Sequence, residues 1–224
     1  IEQIMAWTVK EPLNSDQLGK RLMRRAAKYD KSGEEHYNLI SALHKSVRGS
    51  DPDAALYWFA RMLEGGEDPR YLARRLVRMA VEDISLADPQ AQTICLHAWE
   101  TFERLGSPEG ELALSQAVIY LALGPKSNAA YVAYKAPREA ARKRGSEPPP
   151  KHILNAPTKM MAEQGFGAGY AYDHDSEDGF SGQNFFPETL PRTQFYAPVE
   201  RGFERDLAKR VAYFEKLRAQ REGT

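Results

Sequence analysis

The chain has 224 residues, room for one or two domains with a sizeable core, and its 42% hydrophobic and 28% charged content suits a globular protein. Its 31 Lys and Arg balance 31 Asp and Glu, so no global charge draws it to nucleic acid or membrane, and any basic surface must be local. The single Cys95 excludes an internal disulfide and fits a reducing cytosol, and no signal peptide or run of about 18 apolar residues points to a membrane. A start at Ile1 rather than Met is what a piece of a longer protein would show.

In chain order, residues 1–30 hold an amphipathic stretch, a break at Pro12, and a helix capped by Ser15-Asp16 with Lys20, Arg21, Arg24 and Arg25 facing out. After the Lys31–Gly33 loop, Tyr37, Ile40, Leu43, His44 and Val47 fall on one side of a helix. His44 reads as a hydrogen-bonded, partly buried histidine, because no second His or Cys stands at metal spacing nearby. The pairs Asp51-Pro52, Asp68-Pro69 and Asp88-Pro89 then announce three helices, since Asp caps the first-turn N–H groups and Pro needs no partner there. Ser107-Pro108 follows the same logic for a fourth. Gly65-Gly66 and Gly106 sit where helices should end.

Apolar residues recur with helical period after each mark: Ala55, Trp58, Phe59, Met62, Leu63; Leu72, Leu76, Val77, Met79, Ala80; Ala91, Ile94, Cys95, Ala98, Trp99, Phe102; Leu112, Leu114, Ala117, Val118, Leu121. Short turns between helices of similar length predict antiparallel neighbours, hence an all-α, compact antiparallel bundle. Cys95 falls on a buried stripe as a small core residue. A further helix, capped by Ser127, should kink or stop at Pro137, and residues 135–151 are locally basic through Lys135, Arg138, Arg142, Lys143, Arg144 and Lys151.

Beyond the GSEPPP linker at 145–150 and a short helix around Lys151 to Gln164, the chain turns Gly- and aromatic-rich. Phe166, Tyr170, Tyr172, Phe180, Phe185, Phe186, Phe195 and Tyr196 are too many aromatics for a disordered tail and predict an ordered irregular extension. Residues 199–222 close the chain with a helix striped by Phe203, Leu207, Val211, Phe214 and Leu217. The domain boundaries expected are therefore 1–30, 31–145, 146–198 and 199–224.

Several motifs fail on inspection. Gly124-Pro125-Lys126-Ser127 lacks the spacing of a phosphate loop and follows a helical run rather than a strand. No apolar strand ends in acidic residues to hold magnesium, so the chain itself should not hydrolyse ATP and needs no cofactor. GFGAG at 165–169 is not a dinucleotide fingerprint. The acidic run Asp173, Asp175, Glu177, Asp178 misplaces Gly179 and has Asn184 where a calcium loop needs Glu, so no metal is expected. Two candidate surfaces remain. Arg70, Arg74 and Arg78 recur every four residues and, with Arg75, Lys45, Arg48 and Lys126, could track phosphate; the plainer reading is a solvated face paired with Glu64, Glu67, Glu82 and Asp83. Phe185, Phe186, Phe203, Leu207, Val211 and Phe214 must be buried somewhere, within the chain or between copies.

Several blocks in one order carry a resemblance: YDKSGEEHYNLISALHKS (Tyr29 to Ser46), KSVRGSDPDAALYWFARMLEGGEDPRYLARRLVRMAVEDISLADPQA (Lys45 to Ala91), PKSNAAY (Pro125 to Tyr131), NAPTKMM (Asn155 to Met161) and GQNFFPETL (Gly182 to Leu190). Together they resemble the C-terminal region of the replication-associated recombination protein A family, also called MgsA, whose eukaryotic relatives are the Werner-helicase-interacting AAA+ ATPases. The resemblance covers nearly the whole chain after about Leu18. It implies a fold like a clamp-loader collar domain, preceded by the end of an AAA+ lid. It also implies a parent that is a DNA-dependent ATPase, using ATP and Mg at stalled forks, nucleoid-associated in the cytoplasm. The partners it implies are a homotetramer of itself, DNA through the parent, and single-stranded-DNA-binding protein or other replication proteins. The competing reading is a generic helical protein-protein interaction scaffold of the tetratricopeptide kind, against which the irregular extension counts because it does not repeat.

Overall fold

The structure is a computed structural model that describes residues 34–222. The helices expected within residues 1–30 lie outside the described residues. Those described contain helices and turns and no strand. Their backbone contacts divide them into two units, 34–83 with 90–124 and 84–89 with 125–222.

The first unit contains α1 (Glu34–Arg48), α2 (Pro52–Glu64), α3 (Pro69–Met79), α4 (Gln90–Leu105) and α5 (Glu109–Leu123). Asp51 accepts from Ala54 N–H at 2.9 Å and Asp68 from Arg70 N–H at 2.9 Å, so these two Asp-Pro pairs start their helices as their chemistry dictates. Ser107-Pro108 does not follow suit. Its peptide bond is cis, Pro108 occupies the cap position, and α5 begins with no side-chain cap. α3 ends in a π-helical turn, Ala80–Ile84.

Helix α5 packs against α1, α2, α3 and α4, and its sequence is apolar around most of its circumference, as a central helix requires. Leu114, Ala117, Val118 and Leu121 face Phe59 and Met62 of α2, Leu72, Leu76 and Met79 of α3, and Cys95 and Phe102 of α4 in one buried core. Burial pushes the Cys95 thiol up to about 12, which leaves it an inert apolar filler. Two residues of the expected stripes, Tyr37 and Leu112, face outward instead. His36, not Tyr37, faces inward on α1, because His36 meets the buried Glu67 carboxylate at 2.7 Å while Tyr37 is exposed. Leu112 is 76% exposed, since four neighbours already surround the rest of α5.

The second unit contains a 3₁₀ turn at Ser85–Ala87, α6 (Ala129–Arg144), α7 (Lys159–Glu163), a final helix α8 (Glu204–Glu222), and 3₁₀ turns at Lys151–Ile153 and Asp173–Asp175. Helices α6 and α8 both pack on the Ser85–Ala87 turn. Of the kink or stop expected at Pro137, the stop does not occur: α6 runs through it to Arg144, although proline has no N–H to give the helix. The helix expected from Lys151 to Gln164 is instead a turn and a five-residue helix. Phe203, placed on the stripe of the last helix, precedes that helix, because Gly202 and Phe203 are held in a turn against Ala87. Between Ala130 and Arg221 only Pro150 and Glu204 are buried.

Candidate functional site

The basic residues of α1 and α3 are organised by carboxylates. Arg48 Nε donates to Asp83 Oδ1 at 2.6 Å, and His44 Nε2 lies 2.5 Å from Asp83 Oδ2. Arg75 Nη2 lies 3.4 Å from His44 Nδ1, so the imidazole accepts from Arg75 and donates to Asp83. Burial pushes the Asp83 carboxyl up, but the hydrogen bonds from His44 and Arg48 outweigh it and hold the group below its ordinary value. Here the buried carboxylate fixes α1 to the end of α3.

Along the outer stripe, Arg70 makes a two-pronged pair with Glu103 of α4, at 2.8 and 2.9 Å. Those hydrogen bonds, with one from Trp99, hold the Glu103 carboxyl below the usual carboxylate range. Arg78 pairs with Glu82 at 2.5 Å, one turn along. Arg74 is exposed and lies over the Tyr71 ring. Lys45 is exposed on α1. Lys126 belongs to the other unit, where its carbonyl accepts from Arg201 at 3.0 Å. Within this set, Arg48, Arg70 and Arg78 already hold anions belonging to the chain itself.

None of the apolar candidates Phe185, Phe186, Phe203, Leu207, Val211 and Phe214 is fully buried. Phe214 meets Phe180 at 5.1 Å, and Phe180 lies beneath the guanidinium groups of Arg218 and Arg221. Phe186 and Val211 line a cavity of about 500 Å³ with Phe195, Tyr196 and Arg218. Asp178 of the acidic run pairs with Arg221 at 2.6 Å, and Asp173 accepts from Ser181 N–H at 2.7 Å, so the two carboxylates are engaged separately. Among the described residues no three His, Cys, Asp or Glu side chains gather to hold a metal ion, and no helix is long and apolar enough to cross a membrane.

The sequence reading missed the carboxylate that holds the second unit together. Glu204, fully buried at the start of α8, accepts from Ser127 Oγ at 2.5 Å, Tyr196 Oη at 2.9 Å and Val199 N–H at 3.3 Å. Burial and the bond to this carboxylate push the Tyr196 phenol above its ordinary value. Three neutral donors on one anion join the start of α6, the end of the extension and the last helix. The only local hint is an acidic residue in a helical first turn, which is too common to be a signal.

Among the described residues the fold is all-helical, as a helical domain accompanying an AAA+ ATPase core would be, and residues 2–48 match the AAA C-terminal domain family. Residues 49–215 match the family described as MgsA AAA+ ATPase C terminal, and the chain belongs to that family. It is 50% identical to replication-associated recombination protein A of Coxiella burnetii over 208 residues, 92% of this chain and 47% of the relative. The protein of the same name from Escherichia coli K12 is 46% identical over 209 residues, 88% of this chain and 47% of the relative. ATPase WRNIP1 of Dictyostelium discoideum is 45% identical over 185 residues, 82% of this chain and 21% of the relative. The chain thus spans about half the length, 47% and 50%, of bacterial relatives that it matches.

Proposed function

We propose that this region is the non-catalytic assembly collar of an AAA+ ATPase working in replication-associated recombination, and that it holds the parent as a homotetramer. One observation carries the reading. The second unit has many large apolar side chains and almost no interior: Phe185 is 46% exposed, Tyr213 53% and Phe214 42%, on and around a helix with no buried apolar residue. Each such side chain left in water forgoes roughly 1.5–3 kcal/mol, so a covering surface is required. A second copy of the same unit supplies one, and closed symmetry would repeat it into a dimer of dimers. ATP and Mg would be bound by the parent's nucleotide-binding region, and the chain by itself would hydrolyse nothing.

Light scattering tests this on the whole chain. A mass near four times 25.3 kDa is expected at micromolar concentration. The pair Val211→Glu and Phe214→Glu should lower that mass while the helical circular dichroism of the first unit persists. A wild-type chain that is monomeric at tens of micromolar, or an unchanged mass in the double variant, would overturn the assignment to α8.

A further inference from the structure

The basic run of α6 has no place in the assembly reading, and its geometry is specific. Along the helix, Tyr131, Tyr134, Lys135, Arg138 and Arg142 fall, at about 100° per residue, within an arc of about 100°. They run along about 16 Å of helix. No carboxylate falls within this arc. The one acid on α6, Glu139, lies to the side and pairs with Lys143 at 2.7 Å. The opposite side is occupied: Pro137, Ala140, Ala141 and Arg144 face Pro187, Leu190 and Phe195 across a cavity of about 260 Å³. Arg144 is bound there to Glu147 at 3.2 Å and to the Thr189 carbonyl at 2.9 Å. The cations of the stripe are held differently. Lys135 Nζ lies 4.2 Å from the Tyr131 ring centre, and the Arg138 guanidinium lies 5.0 Å from that of Tyr134 and donates to its hydroxyl at 2.9 Å. Among the described residues no carboxylate pairs with Lys135, Arg138 or Arg142. Tyr134 is 60% exposed.

We infer that this face of α6 binds single-stranded nucleic acid, the cations meeting phosphates and the tyrosine rings meeting unstacked bases. Charge complementarity selects a polyanion. The alternation of ring and cation along several turns selects one whose charges repeat beside flat apolar faces. An acidic peptide would satisfy the cations and leave the rings unused. In a duplex the bases are stacked and paired, so the rings have nothing to meet. The inference does not depend on the oligomeric state.

Fluorescence anisotropy of the whole chain tests it, with a labelled oligothymidylate of about 20 nucleotides, a duplex of equal length and a poly-glutamate peptide. Salt is varied from about 50 to 200 mM. The single strand should bind more tightly than the duplex or the peptide. For Arg138→Ala with Arg142→Ala the slope of log affinity against log salt should flatten by about 0.7 per lost phosphate contact, about 1.4 in all. Tyr134→Leu should weaken binding about five-fold or more and leave the slope unchanged. Arg74→Ala, on α3, should change neither. Equal affinity for duplex, tighter binding of the peptide, or a double variant with the wild-type slope would each overturn the assignment.

Discussion

Replacing Gly202 by Ala should detach the start of α8 from its seat. Gly202 has φ +50, and a Cβ there would stand 2.0 Å from the Ala87 carbonyl oxygen and 2.9 Å from Pro125 Cγ. Neither the carbonyl nor a proline ring can swing aside as a long side chain would. The left-handed backbone alone costs an L-residue about 1–2 kcal/mol. The forced separation also breaks the 2.8 Å hydrogen bond from Phe203 N–H to Ala87 O, about 1 kcal/mol more. A local loss of about 2–3 kcal/mol predicts amide exchange about 30- to 150-fold faster at Phe203 and the first turn of α8. Amides of α3 and α5 should keep their wild-type rates, because those helices belong to the other unit. Hydrogen exchange read by mass spectrometry measures both. Exchange at Phe203 within about three-fold of wild type would mean that the turn relaxes around the methyl group, and would refute the close-packing argument.

Two further expectations concern the first unit. Gly110→Ala places a Cβ 2.7 Å from Phe102 Cα and 3.2 Å from its carbonyl oxygen, where α5 meets the α4 backbone. Overpacking of about 1–3 kcal/mol should exceed the helix-propensity gain of up to about 1 kcal/mol, so the urea midpoint should fall; a rise would refute the contact. Asp83→Asn should cost about 1–3 kcal/mol at neutral pH by weakening the bonds to His44 and Arg48. Because the folded carboxyl titrates below its ordinary value of 3.8, the stability it contributes is present above that value and lost as pH falls through the lower folded one. Denaturation curves of wild type and variant should therefore converge as the pH drops below 3.8; a constant difference would assign the effect to packing.

Local chemistry made the bundle legible. Asp51 and Asp68 announce helices because cap and first-turn proline lie side by side in the chain, and the apolar stripes follow because one period describes one face. The pair Arg78 and Glu82 is legible for the same reason, being one turn apart. The failures share a cause as well. Tyr37 and His36 are adjacent and both amphipathic, and only Glu67, 31 positions on, decides which one turns inward. Pro137 obeys its local rule in losing a hydrogen bond, but packing against the Ser85–Ala87 turn and the extension carries the helix past it. Arg70 finds Glu103, and Ser127 finds Glu204, across separations of 33 and 77 residues that no local period encodes.

The Glu204 junction also bears on the proposed assembly. A buried carboxylate surrounded by three neutral donors fixes position well but stabilises little, because its desolvation offsets most of what the donors return. It pins the first turn of α8 and nothing further along. The remaining turns expose Tyr213 and Phe214 and leave Leu207 and Val211 half-covered. In a protein a helix such as this one of 19 residues takes most of its stability from a packed apolar face. Position is therefore set within the chain, by Glu204 and Gly202, and in the proposed assembly a second copy supplies the remaining burial. That division predicts that Glu204→Gln, which keeps the shape and removes the charge, should leave the assembled mass unchanged while lowering the Tyr196 phenol toward its ordinary value. A spectrophotometric titration of Tyr196 together with light scattering would decide it. Loss of the assembly in Glu204→Gln would show that the charge itself, and not the apolar stripe, holds the copies together.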